Sequence, residues 1–136
     1  MDFDLPRELI AYLAELDAFI AQEIKPLEEA DDNIKYFDHR REYERTDWAR
    51  GGLPKKEWED LLAVARQRAD AAGHLRFAWP KDLGGKDGSQ LWLAVIREHL
   101  AAKGLGLHND LQNEHSIVSN NPFVVMFKEF ATPKQY

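Results

Sequence analysis

The segment "HNDLQNEH", residues 108–115, gathers several side chains that can ligate a metal or transfer protons. If it is helical, Asp110 and Glu114 lie one turn apart on one side, and Leu111 and His115 lie beside them. Imidazole and carboxylate groups at this spacing can bind zinc or iron, but a stable site needs three or four converging ligands. Neither HExxH nor ExxH is present. The pattern therefore favours a solvated helix face or hydrogen-bonded polar groups over a metal site.

Other catalytic patterns are weaker still. The serines have no strained GxSxG turn around them, and the glycines of "DLGGKDG" match neither GxGxxG nor a phosphate-binding loop. The acid pairs Glu28/Glu29 and Asp31/Asp32 are typical of solvated charge runs. The residues alone therefore predict no catalytic or cofactor-binding group.

Composition limits the class of protein. A chain of 136 residues is the size of one domain and can bury roughly two-thirds of its unfolded surface. It has no cysteine, an acidic start "MDFDLPREL", and no apolar run longer than residues 91–96. These features predict a cytoplasmic protein without membrane insertion. A net charge of −6 with no basic stripe argues against nucleic acid as a partner.

Three segments have a clear helical period. The first begins near Pro6 and is expected to end at Pro26, the second runs from Pro54 to Gly73, and the third follows a capping Ser89. Their predicted apolar faces comprise Leu9, Leu13, Leu16, Ile20 and Ile24 in the first, Trp58, Leu61, Leu62, Ala65 and Ala69 in the second, and Trp92, Val95, Ile96, His99 and Leu100 in the third.

The remaining segments are less regular. Residues 108–120 are predicted to form a fourth helix, and "PFVVMFKEF" a short, mostly buried fifth, although "PFVVMF" also suits a strand. Residues 31–53 are interpreted as a long connection with at most a short helix, and no strand pair with a hairpin turn is predicted. The fold expected for residues 1–136 is a single all-α domain, an orthogonal or up-down bundle of four to six helices.

Four motifs, in this order along the chain, resemble those of the flavin-dependent acyl-CoA dehydrogenases. "IKPLEEADD" is similar to the end of that family's first helix, and "WPKDLGGKDGS" to its glycine turn. "LAVIREHLAA" resembles the helix after the turn, and "FKEFATPKQY" the start of a further helix. Ala131 stands where the family usually has glycine, and residues 31–53 are longer than in its common members.

The resemblance implies the N-terminal helical domain of a larger oxidoreductase of fatty acid or lipid metabolism, inactive as a fragment. The family's β-rich middle domain and C-terminal helical domain would follow, with FAD and the catalytic glutamate held mainly there. No catalytic, cofactor-binding or metal residue is therefore assigned in this chain. The implied partners are an acyl-CoA substrate, the two further domains and, for the complete enzyme, further copies of itself.

The resemblance also implies that this domain forms one wall of the acyl pocket, through the helix that corresponds to residues 108–120. The face expected to form this wall comprises Asp110, Leu111, Glu114, His115, Val118 and Pro122. Polar side chains there suggest a polar or bulky acyl group. Packing of the same face against a neighbouring domain is an equal alternative.

The last residues, "FATPKQY", combine a good helix N-cap, Thr132, with a proline suited to the first helical position. By resemblance this would be the beginning of the helix that leads into the middle domain. The alternative is a free-standing helical module without catalytic activity, whose function is to bind another protein.

Overall fold

The computed structural model describes residues 4–38, 40–109, 117–119 and 122–135, except for the side chain of Glu42. This part of the chain is mostly helical and includes one very small sheet, which agrees with the predicted all-α class. The α-helices are α1 (Arg7–Phe19), α2 (Lys25–Glu29), α3 (Lys56–Ala71), α4 (Gln90–Ala101) and α5 (Pro122–Phe130). None of the helices described combines the length and apolarity needed to cross a bilayer.

The first helix does not end at Pro26 as predicted. A π-helical segment, Ile20–Ile24, joins α1 to α2, and Pro26 lies in the first turn of α2. Proline lacks an N–H group and its ring clashes with the carbonyl one turn earlier. A π-helical turn widens the backbone at such a point. The helical path therefore continues past the proline, and the apolar face of the first helix is buried as predicted.

The connection after α2 contains more local structure than predicted. Short 3₁₀ turns within Ala30–Phe37, interrupted by a kink at Asp31 and Asp32 where φ is positive, lead to a two-stranded antiparallel sheet of β1 (Thr46–Asp47) and β2 (Leu53–Pro54). The expectation of no strand pair was wrong, because strands of two residues leave no alternating pattern to detect. Arg45 fixes this region by stacking 4.4 Å from the Trp58 ring centroid and donating a hydrogen bond to the Tyr36 carbonyl.

The second and third predicted helices are confirmed as α3 and α4. The Ser89 hydroxyl accepts a hydrogen bond from the Trp92 N–H at 3.1 Å, which makes it the predicted N-cap of α4. Between the helices, residues 79–89 reverse the chain through a series of turns. Gly88 lies so close to the Phe77 ring that a Cβ atom would clash with it. The glycine thus permits the chain to fold back onto the core.

The predicted fourth helix is wrong at both of its described ends. Gly106 and Asn109 pair as an isolated antiparallel bridge around a turn, and residues 117–119 form a bend. The Ser119 N–H donates to the Leu75 carbonyl at 3.2 Å. Tertiary contacts, rather than a local helical period, therefore fix the described ends of this segment.

The core is built from one face of each long helix. The largest fully buried apolar side chains belong to several elements and comprise Leu9, Leu16, Ile24, Ile96, Leu100, Ile117 and Val118. Helix α5 differs, because none of its described side chains is buried. The helical assignment of "PFVVMF" is confirmed over the strand alternative, but the expectation that this helix is mostly buried was wrong.

Candidate functional site

The predicted pocket wall is only partly described. Asp110, Leu111, Glu114 and His115 lie outside the described residues. Val118 is fully buried and packs in the core, whereas Pro122 is exposed at the first position of α5. The two described members of the wall therefore have opposite environments: one supports the fold, and the other begins an apolar surface.

That surface is the α5 face, which we define as the exposed apolar residues Phe123, Val125, Met126, Phe127 and Phe130. Phe130 exposes 82 % of its area and Phe123 66 %. At one edge of the face, Phe123 and Phe127 meet Trp79 and Leu83 around a cleft of about 350 Å³. Contiguous apolar surface of this kind marks a place where a partner or ligand is bound. The cleft is lined mainly by apolar side chains, with Gln135 as its polar member.

One ion pair fixes α5 to the glycine turn. Lys128 and Asp82 approach to 2.9 Å, and the ammonium group lowers the pKa of the Asp82 carboxyl. Both side chains are substantially exposed, so the pair contributes little free energy. The pair places α5 beside the turn that contains Asp82.

A second polar centre lies in the interior. The Glu28 side chain is 2 % exposed, and its carboxylate accepts hydrogen bonds from the Leu107 N–H and the Lys25 ammonium, each at 2.7 Å. Gly106 approaches this carboxylate so closely that a Cβ atom would clash with it. We call Glu28, Lys25, Leu107 and His108 the Glu28 centre. It connects the turn after α4 to α2, two elements that are far apart in sequence.

The Glu28 carboxyl is ionised despite its burial. Burial by itself would raise its pKa, but the hydrogen bonds from Lys25 and the Leu107 amide outweigh this, and the pKa lies below its ordinary value. His108 Nδ1 is 3.7 Å from the carboxylate, beyond hydrogen-bonding distance, so we attribute the lowering to the two shorter contacts. The centre thus holds a fixed negative charge inside the domain.

His108 is fully buried, and neither ring nitrogen has a hydrogen-bond partner among the described residues. The Ser119 hydroxyl likewise has no hydrogen-bond partner among the described residues. This centre was not predicted from the sequence, because Glu28 was assigned to a solvated charge run. A signal was present: Glu28 follows Ile20 and Ile24 at four-residue steps and so continues the buried face of the first helix.

A second buried polar contact joins α1 to the segment after α3. The Tyr12 hydroxyl lies 3.0 Å from Nδ1 of His74, whose ring is 2 % exposed. Burial, aided by the nearby Lys86 ammonium, lowers the pKa of His74. Burial also raises the pKa of Tyr12, with a smaller contribution from Glu15. The neutral imidazole ring can accept a hydrogen bond from the Tyr12 hydroxyl. The pair therefore connects α1 to the segment after α3 through a buried hydrogen bond.

The described residues contain no group of three acidic or histidine side chains that could hold a metal ion. Comparison with known protein families, with curated proteins and with solved structures finds no match for this chain. The functional argument therefore rests on the residues and their geometry. In that geometry, the α5 face is an exposed apolar surface, and the two buried polar centres connect elements that are distant in sequence.

Proposed function

We propose that this chain is the N-terminal helical domain of a flavin-dependent acyl-CoA dehydrogenase and forms one wall of its acyl pocket. The complete enzyme would desaturate an acyl-CoA thioester between the α- and β-carbons. The observation that carries the proposal is the α5 face, because a helix with five exposed apolar side chains needs a further surface to cover it. In the proposed enzyme the C-terminal and middle domains provide that cover.

The four ordered motifs are the second support. Two of them have local geometry suited to the roles that the resemblance implies. The "WPKDLGGKDGS" segment makes a sharp reversal between α3 and α4 and ends in the Ser89 cap. The segment "LAVIREHLAA" lies within and just after α4, with Leu93, Ile96 and Leu100 buried.

The "FATPKQY" segment of the fourth motif adds to this second support. The Gln135 side chain accepts a hydrogen bond from the Thr132 N–H at 2.9 Å, and the Gln135 N–H donates to the Thr132 carbonyl at 2.8 Å. A side chain three residues into a helix that binds the N-cap amide is half of a capping box. This arrangement suits the helix start that the resemblance implies there.

The cleft beside α5 does not suit the diphosphate of FAD. A diphosphate requires positively charged side chains or free backbone N–H groups, whereas the cleft is mainly apolar and the nearby Lys128 is paired with Asp82. We therefore derive no catalytic step through the flavin from this domain. In the proposed enzyme, its contribution is to shape the acyl pocket and to dock the other domains.

A second candidate function uses the same observation. A free-standing helical module could use the α5 face to bind a partner protein through an apolar groove. The two functions differ in chemistry: only the dehydrogenase consumes acyl-CoA and passes electrons to an acceptor.

The test is to purify the complete product of the gene that encodes these residues and measure its flavin absorbance and acyl-CoA-dependent reduction of an electron-accepting dye. We expect both signals. In that protein, Phe123→Ser combined with Phe127→Ser should release flavin and lower activity, while Leu91→Ser, an exposed apolar residue on α4, should not. A product without flavin or acyl-CoA activity contradicts the proposal and favours the interaction module.

The substrate class can be tested in the same protein. The polar residues Glu114 and His115 belong to the proposed wall, so Glu114→Leu with His115→Leu should shift kcat/KM from polar or bulky acyl-CoAs towards simple straight-chain ones. Unchanged selectivity would remove these two residues from the wall while leaving the enzyme assignment intact.

A further inference from the structure

A surface groove of about 700 Å³ lies on the side of α1 that faces the glycine turn and the start of α4. Three aromatic side chains, Tyr12, Phe77 and Trp92, line it. Tyr12 and Phe77 stack with ring centroids 5.2 Å apart and planes 22° from parallel. Gly88 packs directly against the Phe77 ring. This close contact places the turn next to the aromatic side chains. The groove is within the size range of small-molecule sites.

The charged side chains of the groove are mainly acidic. Glu8 and Glu15 lie on α1 on either side of Tyr12, and Asp87 lies on the turn, where Lys81 approaches its carboxylate to 3.9 Å; Lys86 is the one cation among the lining residues. Three carboxylates and one ammonium give these lining residues a net charge of −2. The chain itself has a net charge of −6. Both charges favour a cationic ligand and oppose an anionic one.

A cation already contacts the aromatic wall. The Lys86 ammonium lies 4.9 Å from the centroid of the Tyr12 ring, within the range of a cation–π interaction. Lys86 is exposed, so its side chain can leave the ring at little cost. The ring, with carboxylates nearby, then offers the surroundings that bind quaternary ammonium groups in aromatic cages.

We propose that this groove, the Tyr12 groove, binds an organic cation, either a quaternary ammonium group or a protonated alkylamine. Aromatic faces of Tyr12 and Trp92 contact the cation, and Glu8 and Glu15 compensate its charge. Lys86 competes for the same aromatic surface in the free protein. This site is separate from the α5 face and does not depend on the function proposed for it.

The test uses the 136-residue chain labelled with ¹⁵N and two probes of nearly the same shape, choline and the uncharged 3,3-dimethylbutan-1-ol. We expect choline to produce saturable NMR shifts at the Trp92 indole and at the Gly88 and Ser89 amides. The neutral probe should bind roughly fivefold more weakly, because it lacks the cation–π and ionic contributions. Equal titration by both probes, or no saturable shift at these groups, would overturn the proposal.

Variants separate this site from nonspecific attraction to an acidic protein. Glu15→Gln should weaken choline binding about twofold, and Lys86→Met should strengthen it by about the same factor because it removes the competing cation. Glu57→Gln, at an exposed carboxylate on α3, makes the same change of charge elsewhere and should have little effect. Trp92→Leu should weaken binding roughly threefold, with circular dichroism as a check on folding.

Two results from the variants would contradict the proposal. If Glu57→Gln lowers affinity as much as Glu15→Gln, the attraction comes from net charge and not from the groove. If Lys86→Met leaves the affinity unchanged or lower, Lys86 does not compete for the aromatic surface. Neither measurement involves flavin or acyl-CoA, so the dehydrogenase proposal can fail while this one stands.

Discussion

Helices α4 and α5 are both rich in apolar residues, yet only one of them is buried. In α4, the residues Leu93, Ile96 and Leu100 recur at three- and four-residue steps and lie in the core. In α5, five apolar residues run consecutively from Phe123, and none of them is buried. A periodic stripe covers one face and fits one partner surface, whereas a continuous run leaves apolar side chains on more than one face. The apolar side chains of α5 that are not covered by the core form the exposed α5 face.

The largest difference between the two helices should be in stability. Leu100→Ala removes a fully buried side chain and should lower the free energy of unfolding by about 3 kcal/mol. Phe130→Ala removes a side chain that is 82 % exposed and should change it by less than about 0.5 kcal/mol. Urea unfolding followed by circular dichroism measures both. A comparable loss in the two variants would show that α5 is packed, and would remove the basis of the docking surface.

The Glu28 centre should be the next most sensitive feature. Glu28→Gln removes the buried negative charge that Lys25 and the Leu107 amide stabilise, and should lower the free energy of unfolding by about 2 kcal/mol. Glu29→Gln is the matched control, because the adjacent carboxylate is exposed and should change stability by less than about 0.5 kcal/mol. Equal effects would return Glu28 to the solvated charge run that the sequence suggested.

The smallest of the three effects should come from His74 and depend on pH. Its pKa is lowered in the folded state, so the unfolded chain binds the proton more readily. The stabilisation from neutral His74 is fully present above the ordinary pKa of about 6.5 and declines as pH falls below it. The stability advantage of the wild type over His74→Gln should therefore shrink between about pH 7.5 and 5.5. An advantage that is constant, or grows, over this range would contradict the buried neutral ring.

A control is available for the pH experiment. His99 lies on α4 and contacts Asp17 at 2.7 Å, but it is only partly buried. The chain with His99→Gln should keep the pH-dependent advantage contributed by His74. Loss of that dependence in the His99 variant instead would assign it to the surface pair.

Much of the helical framework was predictable because it depends on local signals. The Ser89 cap and the apolar stripe of α3 act within a few residues of themselves, and both were found from sequence. Pro26 misled the prediction because a π-helical turn accommodated it. The hairpin of β1 and β2 was not predicted because each of its strands has only two residues.

The site was harder to predict, since burial depends on residues distant in sequence. Glu28 is buried by a turn 79 residues later in the chain. The continuous apolar run of α5 indicates that some of its side chains stay uncovered, but which ones, such as Phe127 and Phe130, depends on how the helix packs on the rest of the domain. Sequence therefore predicted the elements better than their environments.

The most direct measurement is to read the coding sequence that follows the codon for Tyr136. The proposal predicts an open reading frame that continues into a strand-rich segment and then a second helical region, where the flavin and the catalytic glutamate would reside. A stop codon immediately after Tyr136 would contradict it, and the α5 face would then be the binding surface of a free-standing helical protein.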